Sequence, residues 1–118
     1  TSNERKETML KGLTKKETQQ LLLNSKESAA HHGGIDHKPV VKYFYMQATW
    51  LITELDENGR GFALCDLGAG FPELGYIDAE ELNNCRSWGG IQKDRYFKAD
   101  RTISEYAKKA RNEGAIYA

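Results

Sequence analysis

The run Asp56-Glu57-Asn58-Gly59-Arg60 most constrains the fold, because it joins two β-prone segments through a connection short enough to demand an antiparallel return. Asn and Gly both tolerate positive φ, so an Asn-Gly pair between such segments signals a hairpin. The flanking runs Thr49–Leu55 and Phe62–Leu67 are rich in β-branched and aromatic residues, and Val40–Met46 ahead of them has the same character. Alternation along the first arm sends Trp50, Ile52 and Glu54 to one side and Leu51, Thr53 and Leu55 to the other. Neither side is cleanly polar, so both faces of the sheet are expected to be partly covered.

Helices bracket this sheet. Thr14 with Glu17, Asp78 with Glu81, and Thr102 with Glu105 each pair an N-cap residue with a Glu three positions on, the reciprocal arrangement that satisfies orphan backbone donors. The first predicts a helix to about Ala30, with Leu21, Leu22 and Leu23 on its apolar side and Gly33-Gly34 as its stop. The second predicts a short helix from Ala79 to about Arg86, and the third a helix from Ile103 to about Asn112 that stops at Gly114. A fourth strand is expected near Ile91–Phe97, after Trp88-Gly89-Gly90. The chain therefore reads as α+β: a small antiparallel sheet of three to four strands with an N-terminal helix, a short middle helix and a C-terminal helix. Residues 1–9 read as a disordered or appended segment and residues 10–118 as a single domain.

No apolar run approaches the roughly 18 residues of a membrane span, and the N-terminus lacks the apolar stretch of a secretory signal. A cytoplasmic protein without a membrane role is expected, with Cys65 and Cys85 as reduced thiols. Formal charge is zero over 118 residues, but it is unevenly spread. Residues 54–81 hold eight carboxylates against Arg60 alone, a net −7, whereas residues 86–118 are net +4. An acidic centre steers towards basic partners and away from phosphates, so direct nucleic-acid binding is not expected. The basic C-terminal third is a weak counter-signal, because the chain as a whole is not basic.

Between Asp66 and Tyr76, three glycines and Pro72 interrupt the β pattern around two carboxylates, Asp66 and Glu73. Such a loop either positions binding groups or simply connects two elements. Candidate binding residues are Glu54, Asp56, Glu57, Asp66, Phe71, Glu73, Tyr76, Glu80 and Glu81. Phe71, Tyr76, Trp88, Tyr96 and Phe97 cluster at glycine-rich turns, where aromatics serve as interface anchors, though at least half are expected in the core.

A zinc site, if any, would draw on His37, Cys65 and Cys85, with Asp66 as an oxygen donor. Neither cysteine has a companion at Cys-x-x-Cys spacing, so the expectation is no cofactor. Cys65 as a nucleophile would need His37 as its base, and its apolar strand setting favours a core thiol instead. No phosphate-binding loop, dinucleotide fingerprint, HExxH or nucleophile elbow is present.

Three segments, Lys38-Pro39-Val40-Val41-Lys42, Thr49 through Leu55, and Leu64-Cys65-Asp66-Leu67-Gly68 through Tyr76, together resemble one bacterial family of domains of unknown function, numbered 2958 and carried largely on plasmids, conjugative elements and phages. Its strings are of the type PVVK, TWLLTELD and CDLGxGFPELGY. The resemblance covers about residues 10–111 and departs at Ala30–His37. It implies a mobile-element context with no reaction attached. The leading expectation is a non-enzymatic protein that binds and inhibits a host defence nuclease, of anti-CRISPR or anti-restriction type, its acidic surface meeting a basic nucleic-acid channel. The alternative is a metal-dependent or nucleic-acid-processing enzyme using the Asp66/Glu73 loop.

Overall fold

A computed structural model describes residues 9–32 and 35–118. Helix α1 (Lys15–Ala30) precedes strands β1 (Val41–Tyr45), β2 (Ala48–Leu55), β3 (Arg60–Asp66) and β4 (Glu73–Asp78). Then follow a short helix α2 (Ala79–Asn83), a 3-10 turn at Ser87–Gly89, the two-residue strand β5 (Gln92–Lys93) and helix α3 (Ile103–Glu113). The sheet is antiparallel throughout, in the order β4-β3-β2-β1-β5. The α+β class and the three helices stand as expected, with five strands.

Local chemistry explains the element ends. Thr14 Oγ1 accepts the Glu17 N–H at 3.1 Å while Glu17 Oε1 accepts the Thr14 N–H at 2.9 Å, closing the capping box of α1. The expected stop at Gly33-Gly34 and residues 1–8 lie outside the described residues; α1 ends at Ala30, with the His31 N–H bonded to the Glu27 carbonyl. Asp78 caps α2 through the Glu80 N–H at 2.9 Å, and the helix stops at Asn83, three residues short of the expected Arg86. Thr102 donates its N–H to Glu105 Oε1 at 2.8 Å, and Gly114 closes α3 with φ of 79°. In the β2–β3 turn, the Asp56 carboxylate accepts the N–H groups of Asn58 at 2.8 Å and Arg60 at 3.0 Å.

Both faces of the sheet are covered. One cluster joins Leu10 and Leu21 to Val41, Tyr43, Trp50, Ile52 and Leu55, with Ala79 and Leu82 from α2. The other packs Ile103, Tyr106, Ala107 and Ala110 of α3 against Leu51 and Leu64. Leu55 belongs with Ile52, although plain alternation separates them, because the pairing with β3 slips between Ile52 and Glu54. The buried side of α1 is Leu21, Asn24 and Ser28, not the expected three leucines, and Leu23 is exposed. Asn24 Nδ2 donates to the Thr53 carbonyl at 2.9 Å and Ser28 Oγ to Glu54 Oε1 at 2.7 Å, so the helix docks on the irregular part of β2 through hydrogen bonds. Met9 packs against the first cluster, and its carbonyl accepts Asn83 Nδ2 at 2.8 Å.

Asp36 ties the α1–β1 connection to the start of α3, accepting the Ser104 N–H at 3.0 Å. Partial burial works to raise its pKa, but the hydrogen bonds from Ser104 prevail and hold it below the ordinary 3.8. A carboxyl depressed in the folded state adds stability above its unfolded pKa and loses it as pH falls through the folded value. Because Asp36 is exposed and solvent screens its charge, Asp36→Ala is expected to cost only about 0.5 kcal/mol at pH 7. In urea melts, the difference from the parent chain should shrink steadily as pH drops below 3.8.

Candidate functional site

Strand directions sort the functional candidates to two ends of the sheet. β1 and β3 run towards one end, where the β1–β2 turn, the β3–β4 loop and the 3-10 turn before β5 meet. β2 and β4 run towards the other, which carries the β2–β3 turn and the β4–α2 junction. β3 is seven residues long, so the ends lie about 20 Å apart.

The first end carries the glycine-rich loop. Asp66 is buried, and its two carboxylate oxygens accept the Gly68 N–H at 2.8 Å and the Ile116 N–H at 3.0 Å. It therefore folds the loop back on itself and holds down the chain after α3. Gly68 sits at φ of 83°, and a Cβ there would stand 2.5 Å from Gln47 Cγ, so the loop presses on the β1–β2 turn. Glu73 is exposed and lines an open cleft of about 530 Å³ with Phe71, Pro72 and Arg111. Asp66 and Glu73 do not converge on a histidine-bearing pocket; one is spent on backbone donors and the other faces out.

Cys65 pairs with Glu73 across β3 and β4. Burial, reinforced by the nearby Glu73 charge, pushes its thiol up to about 11. At pH 8 only about one molecule in a thousand would carry the thiolate. Iodoacetamide at pH 8, followed by peptide mass spectrometry, should leave Cys65 unmodified in the folded protein and label it rapidly in denaturant. The three candidate metal ligands are not gathered: among the described residues no group of three or more His, Cys, Asp or Glu side chains is placed to hold an ion. Cys65 lies on β3, Cys85 follows α2 with its Sγ directed to the Glu81 carbonyl, and His37 precedes β1, its own carbonyl accepting the Ile103 N–H.

Sequence reasoning passed over Met46 and Phe44 at this end. Met46 is 67% exposed and Trp88 84% exposed, and the two border one cleft with Phe44. Both have left-handed backbones, φ 54° and 56°, a conformation that costs a bulky residue about 1–3 kcal/mol. Nothing in residue type signals such a φ. Of the five aromatics at glycine-rich turns, only Phe97 packs on the core, whereas Phe71, Tyr76, Trp88 and Tyr96 are exposed, contrary to the expectation that at least half would be core residues.

The second end is acidic. The Ala79 N–H bonds the Gly59 carbonyl at 2.7 Å, which brings the β2–β3 turn against the start of α2 and so places Asp56 and Glu57 near Asp78, Glu80 and Glu81. Glu57, Glu80 and Glu81 are exposed, and Arg60 pairs in register with Asp78. Glu54 lies just before this turn with one oxygen engaged by Ser28. Tyr76, on β4, is 88% exposed and meets Phe62 edge-on at 5.5 Å. The acidic block of residues 54–81 is thus divided: Glu54, Asp56, Glu57, Asp78, Glu80 and Glu81 at one end, Asp66 and Glu73 at the other.

A family model described as a protein of unknown function (DUF2958) matches residues 12–117. No curated protein and no solved structure matches the chain.

Proposed function

The chain belongs to the DUF2958 family of proteins of unknown function, and from that premise we propose that it is a non-enzymatic, protein-binding accessory factor of a mobile genetic element, acting in the cytoplasm on a host defence nuclease. The observation that carries this reading is the acidic end of the sheet, where Glu57, Glu80 and Glu81 are exposed beside Asp56 and Asp78. Such a surface suits a positively charged nucleic-acid channel, because opposite potentials accelerate encounter and like charges repel nucleic acid itself. The mobile-element setting comes from the resemblance of the Lys38–Lys42, Thr49–Leu55 and Leu64–Tyr76 segments. Among the described residues no helix is long and apolar enough to cross a membrane. The use of Asp66 for backbone donors weighs against an enzyme built on the Asp66/Glu73 loop.

The test combines capture of purified host nucleases with a phage or plasmid interference assay. Glu80→Gln with Glu81→Gln should slow association by about tenfold at low salt and change dissociation little, since rim charges act mainly on encounter. A chain that captures no nuclease and gives no protection from interference would sink the reading.

A further inference from the structure

Strand β4 is the outer strand on the β3 side of the sheet. Its register with β3 is unbroken from Glu73 to Asp78, and among the described residues no backbone hydrogen bond outside the sheet involves Glu73–Ile77. An antiparallel edge strand leaves about half of its backbone N–H and C=O groups facing outward, ready to pair with another chain. Protein edges are usually blunted by lysine, proline or a bulge, and Glu73-Leu74-Gly75-Tyr76-Ile77-Asp78 contains none of these.

The side chains around this edge specify what it would accept. By register Arg60, Phe62, Tyr76 and Asp78 share one face. Tyr76 stands between two clefts there. One, of about 230 Å³, is lined by Ser28, Glu54 and Phe62; the other, of about 440 Å³, by Arg60, Asp78 and Glu81. Three carboxylates against one guanidinium make the pair of clefts net negative. On an added strand, a side chain opposite Asp78 would enter the cleft of Arg60, Asp78 and Glu81, and the one two residues away on the same face would lie over Tyr76; Glu54 stands two strands further in, across Phe62.

We propose that β4 receives an extended, basic segment of a protein partner by strand addition, with a Lys or Arg side chain seated against Asp78 and Glu81 beside Tyr76. The proposal rests on the reading of the chain as a protein-binding factor and names the form of the partner: an exposed strand or unstructured tail bearing basic residues. Backbone pairing would supply affinity with little regard to sequence, and Asp78 and Glu81 would select charge.

The experiment is amide hydrogen exchange on the full chain with a synthetic eight-residue peptide of alternating Lys and Thr in millimolar excess, and with the matched Glu-Thr peptide. Exchange at the outward-facing β4 amides should slow by about fivefold or more with the Lys peptide only, and Glu81→Gln should cut the effect by about half or more. Exchange unchanged by the Lys peptide, equal slowing by both peptides, or slowing elsewhere than β4 would each overturn the proposal. So would β4 protection that rises with protein concentration alone, which would assign the edge to a second copy of this chain. A chain that protects cells in the interference assay yet ignores the peptide loses this proposal alone; one that binds the peptide without protecting cells loses the nuclease reading alone.

Discussion

Gly61→Ala is expected to remove more than about 3 kcal/mol of stability. Gly61 is buried on β3, paired with Leu55 on one side and Ile77 on the other. A Cβ at this position would run into the Glu54 carbonyl oxygen and stand 2.8 Å from Leu55 Cδ2. Neither neighbour can yield cheaply. The carbonyl belongs to the backbone just after the register slip, and β3 is held between β2 and β4, so relief requires the hairpin to open. Gly75→Ala is the control. Gly75 also lies inside a strand, but nothing stands within 4 Å of the added Cβ, and its effect should stay within about 1 kcal/mol of zero. Urea melts of both variants decide the matter: a fall in midpoint for Gly61→Ala with little change for Gly75→Ala is expected, and equal falls would refute the packing argument.

Both positions look alike as sequence, and the difference between them shows where the chain stops being legible. What residues decide locally was readable: Thr14 with Glu17 and Thr102 with Glu105 mark helix starts, and Asn58-Gly59 marks the hairpin. What depends on distant partners was not. β4 hid inside a segment that Pro72 and Gly75 made resemble a loop; it is a strand because Leu74 and Tyr76 find Leu64 and Phe62 across β3. The expected strand at Ile91–Phe97 shrinks to Gln92–Lys93, since Asp94 accepts the Tyr96 N–H at 2.9 Å and turns the chain away. Likewise Asn24 and Ser28 face inward only because the slipped stretch of β2 offers them the Thr53 carbonyl and the Glu54 carboxylate. For the site, charge was visible in composition, but its division between the two ends follows from the direction of β3.

Asp66→Ala is expected to cost about 3 kcal/mol, because two N–H groups lose a charged acceptor at a buried site. Those donors belong to Gly68, at the start of the glycine-rich loop, and Ile116, in the chain that leaves α3 and packs on the second core cluster. Losing both should loosen two segments far apart in sequence, since Asp66 and Ile116 are themselves 50 residues apart. Amide exchange at Ile116 ought therefore to accelerate along with that of the loop, while β2 amides change only as far as global stability falls. Asp66→Asn separates architecture from chemistry. Its amide retains one acceptor oxygen but turns a donor towards the other N–H, so about half the loss should remain. A catalytic Asp66 would predict the reverse: an asparagine variant that melts with the parent chain and fails only in a reaction. A lowered urea midpoint for Asp66→Asn, intermediate between Asp66→Ala and the parent, would assign this carboxylate to the fold and leave the acidic end and the β4 edge as the surfaces on which function is to be sought.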